Sequence, residues 1–353
     1  MGNNLIRGEV ENELSRLKDG TITLSQWFYL WIRVHKHNSI RDSTEAYYIY
    51  LFEHYVAPSL GAKLLCEVSS LDCKILFNAL EDSGFSYSVR FRVRLVLDNL
   101  FKTALDDSYI SRNPVSHLKT KKEVVSERRV LTVEEQAVFF KACRATFYEN
   151  LFIVALCTGL RIGELSGLMD KDLDFDRRLI YVRRTMLFRR FSGDDHFSYR
   201  LHEPKTRTSK RVVPMTVQCS EALKRQIDLR DAILSRPTVE PLDAFRECVF
   251  VNTRGKPVTS AIASSAIRSI VRDINRARNN SPAFEKFSAH TFRHTFATRC
   301  FEAGMDAKVV QNLLGHSSIH MTMDLYTHVT EEKQFADMAK LECLISNIEN
   351  KSF

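Results

Sequence analysis

Between Ser288 and Thr327 the chain reads SAHTFRHTFATRCFEAGMDAKVVQNLLGHSSIHMTMDLYT, which sets His290, Arg293, His316 and Tyr326 in one short helical segment. A guanidinium, two imidazoles and a phenol are what a phosphodiester needs if a hydroxyl is to attack it without a metal ion. His290 and Arg293 stand at i and i+3, on one face of a helix. Two more cations lie far upstream: Arg161, just past Gly159, and Lys205, beside Pro204. Phosphoryl transfer gathers negative charge on the non-bridging oxygens. Arginine forks match that geometry and keep their charge. Cationic surroundings favour the phenolate of Tyr326, whose free pKa is about 10. Lys205 on a mobile hairpin can protonate the leaving oxygen. No carboxylate pair with metal-ligand spacing accompanies these groups.

Helices must position the C-terminal groups. Gly304 ends the first, Asp306 starts the next, and Gly315 closes that one with His316 at the turn. Ser317 or Ser318 caps a last short helix carrying Tyr326. Upstream, Thr21 or Thr23 caps a helix through WFYLWIRVHKH. Asp42 or Ser43 caps another through TEAYYIYLFEHYV that stops at Pro58. A third runs from Leu71 to Leu80, ending near Gly84, and a fourth from Ser86 to Leu105. In the fourth, Arg90, Arg92 and Arg94 alternate with apolar residues as in a strand, but its length favours a helix. These four make a small all-α domain.

The charged stretch Ser111 to Arg129 reads as a linker. Thr132 and Glu135 form a capping box for a helix to about Thr146. Asn150 to Thr158 is a buried helix ended by Gly159, and the next begins at Arg161. LIYVRRTMLF, SYRLHEPKT and KRVVPM form a small antiparallel sheet with a polar tip near Gly193. Helices return over Thr216 to Leu234 and Ala261 to Arg278, with CVFVNTRGKPVTS between them as a short strand and turn. The tail carries Phe335, Met338, Leu341, Leu344 and Ile345 at helical spacing.

The chain has 353 residues, enough for two cores, and a net charge of +8. That charge favours a polyanionic partner without establishing one. No apolar run is long enough to span a membrane, and no signal core is present. Ile6 breaks the myristoylation pattern. The eight cysteines are scattered with no CxxC, as expected of reduced, buried thiols in a cytosolic protein.

TGLRIGEL around Arg161, Lys205 in EPKT, HTFRH at 290–294, LLGHSS at 313–318 and Tyr326 in MDLYTHV stand in an order and spacing that resemble the tyrosine recombinase (integrase) family. The likeness covers about residues 20 to 340 and is nearest to integrases of phages and conjugative transposons. It implies a mainly α fold with a small antiparallel sheet, an α-helical core-binding domain and a mixed α/β catalytic domain, forming a C-shaped clamp around DNA. The corresponding boundaries are a leader at 1–20, core-binding domain 21–117, basic linker 118–130, catalytic domain 131–330 and a tail helix 331–353 that docks on a neighbouring protomer. The resemblance also implies metal- and ATP-independent cleavage through a 3′-phosphotyrosine and a Holliday junction, to integrate or excise a mobile element. In these terms Tyr326 is the nucleophile. Arg161, Arg293 and His316 hold the phosphate, His290 assists proton transfer, Lys205 is the general acid and Glu164 orients Arg161. No cofactor is expected. The expected partners are double-stranded DNA with a specific core site, three further copies in a tetramer and accessory bending or directionality factors. The expected location is the cytoplasm, at the nucleoid. The first 20 residues are too few for the separate arm-binding domain that many such integrases carry.

Other readings stand beside this one. His290 with His294, and His316 with His320, have zinc-compatible spacing, but Arg293 would repel a cation. Tyr326 alone would ordinarily be a packing residue, Arg161 a surface arginine and Glu164 a surface acid. Lys210 competes with Lys205 for the acid's role. The arginines at 268, 272, 276 and 278 suit a solvated face as well as a DNA contact. A type IB topoisomerase would use similar groups as a monomer. An architectural DNA-binding protein would need the charge but not the phenol.

Overall fold

The computed structural model describes residues 19–118, 129–191, 194–203, 207–279 and 282–326, with isolated positions between 335 and 345. The leader as far as residue 18, most of the linker, Lys205, the side chain of Tyr326 and most of the tail, including Leu344, lie outside the described residues. The chain divides into two units, residues 1–126 with 189–198, and residues 127–188 with 199–353.

Unit 1 is helical. α1 (Leu24–Val34) starts at a Thr23–Gln26 capping box and buries Trp27, Phe28 and Trp31. α2 (Asp42–Leu51) has Arg41 at its cap with no side-chain bond. Asp42, expected as the cap, instead lies inside the first turn, where its charge suits the helix dipole. The helix also does not stop at Pro58. A π-helical stretch, Phe52–Val56, runs into α3 (Ala57–Leu60), which holds Pro58 in its first turn. Proline has no N–H to donate there, and the wider π-helical turn before it lets the chain run on. α4 (Ser70–Asp82) opens with a Ser69–Asp72 box. α5 (Tyr87–Asp106) buries Val93, Val96, Leu97, Leu100, Phe101 and Ala104, a spacing of three and four that settles helix over strand. The core closes where Phe28 stacks on Phe52 with centroids 3.9 Å apart. Trp31 Nε1 donates to Thr103 Oγ1 at 3.0 Å.

Unit 2 is mixed. α6 (Val133–Cys143) has the Thr132–Glu135 box but ends before Thr146, because Ala145 turns to φ 62°. α7 (Glu149–Thr158) and α8 (Ile162–Ser166) follow. The strand segment differs from its expectation: LIYVRRTMLF is two strands in two sheets. β1 (Leu173–Asp174), β2 (Leu179–Val182) and β5 (Arg211–Pro214) form one antiparallel sheet in the order β1-β2-β5. β3 (Thr185–Arg189) pairs with β4 (Ser198–His202) in the other. The break falls at Arg183 and Arg184, which both turn to the buried Asp172 carboxylate. α9 (Val217–Leu234) and α11 (Ala289–Glu302) pack on α7, and α10 (Ser260–Ala277) packs on α6. α12 (Ala307–Leu314) and α13 (Ile319–Tyr326) complete the unit. Between α9 and α10, Val251↔Pro257 is an isolated bridge rather than a strand.

The described cysteines are free thiols and mostly buried, but Cys66 is exposed, contrary to expectation. Among the described residues no helix is long and apolar enough to cross a membrane. Phe335, Met338, Leu341 and Ile345 are exposed.

Candidate active site

The site is built where α7 stops. Gly159 adopts φ 62°, and a Cβ there would lie 2.4 Å from Phe296 Cδ1. A side chain is thus refused by backbone conformation and by neighbour alike. Two residues later Arg161 caps α8. Its backbone N–H donates to Glu164 Oε2 and its Nη1 to Oε1, both at 2.9 Å. The Arg161 side chain is 36% exposed, so it can still reach a ligand.

Arg293 is placed differently. Its neighbour Phe292 is locked among Phe139, Phe152 and Phe287, with ring centroids 5.4 to 5.5 Å away. That aromatic cluster fixes the rotation of α11. Arg293, 2% exposed, donates Nη1 to Gly159 O at 2.8 Å and Nη2 to Leu314 O at 2.5 Å. Burial first, and then the charge of Arg161, pull its pKa down to about 9. The guanidinium remains charged at neutral pH, with N–H donors left over for an anion.

Gly315, at φ 67°, ends α12 and delivers His316. His316 is buried, and its Nδ1 lies 2.9 Å from Thr322 Oγ1. Gln311 Nε2 holds the His316 carbonyl at 3.1 Å. Thr322 lies on α13, four residues before Tyr326, so the imidazole is tied to the helix that ends in the phenol-bearing residue. Ser318 Oγ accepts from His320 N at 3.3 Å near the start of that helix.

Arg161, His290 and Arg293 line one cavity of about 300 Å³, together with Gly163, Ser260 and Ser264. His290 is exposed, with its ring 4.8 Å from that of His294. A cavity of about 710 Å³ lies elsewhere, beside Arg230. Its chemistry is weaker, because Arg230 already holds Asp170 at 2.6 Å and Asp231 at 2.8 Å. Among the described residues no cluster of His, Cys, Asp or Glu is arranged to hold a metal ion.

Glu164 is buried and contacts two arginines. Burial pushes its pKa up, yet the hydrogen bonds and charge of Arg211, with the charge of Arg161, hold it below the usual carboxylate value. Arg211 was missed by sequence reasoning, as were Ser260 and Ser264 at the start of α10. A buried acid one turn into α8 signals a second cation, but its burial is not visible locally. Lys210, the rival of Lys205, is paired with Glu203 at 3.0 Å.

Residues 129–333 match the phage integrase family. The chain is 28% identical over 312 residues to the transposase from transposon Tn916 of Enterococcus faecalis, covering 86% of this chain and 73% of that one. It is 28% identical over 326 residues to a XerC-like tyrosine recombinase of Caldanaerobacter subterraneus, covering 89% and 81%. Its structure is similar to that of the Tn1549 transposon integrase in complex with a circular intermediate DNA, with TM-score 0.74 and 28% identity, covering 91% of this chain and 99% of that one.

Proposed function

This chain belongs to the phage integrase family and is a tyrosine-type site-specific recombinase, and on that premise we propose how its residues cut and rejoin DNA. The Tyr326 oxygen attacks the scissile phosphorus. A Tyr–O–P bond forms, the P–O5′ bond breaks, and Lys205 gives its proton to the departing 5′-oxygen. Arg161 and Arg293 neutralise the non-bridging oxygens, His316 donates a hydrogen bond to one of them, and His290 serves the tyrosine's proton. The 5′-hydroxyl of a second duplex then attacks the phosphotyrosine, releases Tyr326 and leaves a Holliday junction. The ester stores the energy of the broken bond, so no nucleotide cofactor enters the step.

The observation that supports this reading is the convergence of Arg161, His290 and Arg293 on one cavity, from segments far apart in the chain. Exchange between two duplexes involves four strands, so the active assembly is a homotetramer on DNA with a specific core site. Accessory bending or directionality factors join it, and the cytoplasm, at the nucleoid, is its place of action. The basic linker, 118–130, joins a core-binding domain, 21–117, to a catalytic domain, 131–330. The apolar tail stripe docks on a neighbouring protomer.

The test is a nicked suicide duplex, its site selected from a random library by the wild-type chain. The wild type forms a covalent protein–DNA complex with a 3′-linked strand, and Tyr326→Phe forms none. A complex that survives Tyr326→Phe removes the assignment of the nucleophile. In the same assay a chain ending at Thr330 assembles more weakly; unchanged tetramers would count against the docking of the tail.

A further inference from the structure

We propose that Arg211 is a positioning residue for strand cleavage: it occupies the Glu164 carboxylate so that this acid does not neutralise Arg161, and it anchors the turn that carries His316. This rests on the recombinase reading above.

Glu164 and Arg211 form a two-pronged pair 47 residues apart, Nη1 to Oε1 and Nη2 to Oε2, each at 3.0 Å. Both side chains are 5% exposed. Arg161 makes a single side-chain bond to the same acid, at 2.9 Å. Geometry thus gives the larger share of Glu164 to Arg211. Charge counting leads the same way. Arg161 and Glu164 alone sum to zero, whereas the three groups together carry a net positive charge. That leaves the exposed guanidinium of Arg161 a cation for a phosphate to find. Low-dielectric surroundings magnify the difference, because little water screens the acid.

The other end of Arg211 sets the second contact. Its Nε donates to Leu313 O at 2.6 Å, while Arg293 takes the adjacent carbonyl of Leu314. Two arginines therefore grip consecutive carbonyls just before Gly315 and His316. Gly315 lies directly on the side chain: a Cβ there would be 3.0 Å from Arg211 Cδ. Arg211 also opens β5, so one side chain links that strand to the segments bearing Arg161 and His316. Its side chain, 5% exposed, has little surface with which to touch DNA itself. A lysine could supply its charge but not its fork.

The test is single-turnover cleavage by the full chain on the selected suicide duplex, with DNA affinity measured alongside. Arg211→Met cleaves about 100-fold more slowly at saturating DNA, with affinity within about threefold of wild type. Arg211→Lys falls between the two. The decisive variant is Arg211→Met combined with Glu164→Gln, which removes the acid that Arg211 answers. It cleaves at least about tenfold faster than Arg211→Met alone. Because replacing both partners also relieves a stranded buried charge, urea unfolding is measured on each variant: a purely structural arginine predicts rates that only follow the folded fraction, whereas the positioning role slows cleavage by Arg211→Met protein that is still folded. A double variant no faster than the single one overturns the proposal, as does Arg211→Met cleaving like wild type. Should Arg211→Met fail to fold, the double variant decides: cleavage within about tenfold of wild type supports the proposal, and any larger loss overturns it. If the wild type itself forms no covalent complex, the recombinase reading fails and carries this proposal with it.

Discussion

The two units bury different chemistry. In unit 1, Arg90 is the charged residue placed among the buried side chains, and the rest of the described interior is apolar and aromatic. Unit 2 buries Glu164, Arg293 and His316 beside its hydrophobic core, with a set of threonines around them. Desolvating charges weakens a fold unless partners are complete. Unit 2 accepts this at the candidate site, and again at Asp172 and Arg230, which lie away from it and are held by partners of opposite charge. Unit 1 has no such obligation and packs as a helical body should. Buried charge is thus concentrated in unit 2, where Asp172 and Arg230 tie the fold together and Glu164, Arg293 and His316 gather at the candidate site.

The largest expected effect tests the costly side of that contrast. Arg293→Ala lowers the single-turnover cleavage rate by about 10³-fold. It also lowers stability by about 1–3 kcal/mol, because the carbonyls of Gly159 and Leu314 lose their shared donor. Suicide-substrate kinetics and urea unfolding measure the two effects separately. A variant that loses stability alone would mean the buried guanidinium serves the fold, and the contrast would collapse.

The next effect belongs to the apolar side. Phe28→Ala removes the ring stacked on Phe52 and destabilises unit 1 by about 3 kcal/mol. Both tryptophans of the chain, Trp27 and Trp31, lie in that core, so their fluorescence follows unit 1 selectively. Below the unfolding transition the variant cleaves bound DNA at the wild-type rate. A slowed rate at saturating DNA with unit 1 intact would show that the aromatic core also tunes the chemistry.

The same contrast explains what the sequence made legible. Features resting on local spacing were readable: the Thr132–Glu135 box, the stripe of α5, and the glycines that end α7 and α12. Arg161, His290 and Arg293 were grouped by residue type and order, and the structure brings these three to one cavity. Features resting on distant partners were not. Nothing near Arg211 says that a carboxylate 47 residues earlier is buried against it. The break in LIYVRRTMLF depends on Asp172, which lies before the strand and becomes visible only when buried. Pro58 looked like a stop because the preceding π-helical stretch leaves no mark in residue spacing.

The smallest effect sharpens the contrast at its edge, where unit 1 does hold an acid. Asp72 accepts from Lys63 Nζ and Ser69 Oγ, both at 2.6 Å, and from the Ser69 backbone at 2.8 Å. Led by the Lys63 bond, these contacts hold its pKa down at about 2, below the ordinary 3.8. A depressed folded-state pKa adds stability that is complete above about pH 4 and is lost as pH falls toward 2. Solvent reaches this pair, with side-chain exposures of 34% and 23%, so its contribution is about 0.5 kcal/mol. Asp72→Asn therefore lowers the urea midpoint of tryptophan fluorescence slightly at pH 7, and the gap to wild type narrows between pH 4 and 2. Glu164, sealed between two arginines, should instead register in both cleavage rate and stability, because its loss strands Arg211 in the interior. A gap at Asp72 that stayed constant with pH would assign its worth to the helix cap alone, and the carboxylate charge in unit 1 would then carry no energy at all.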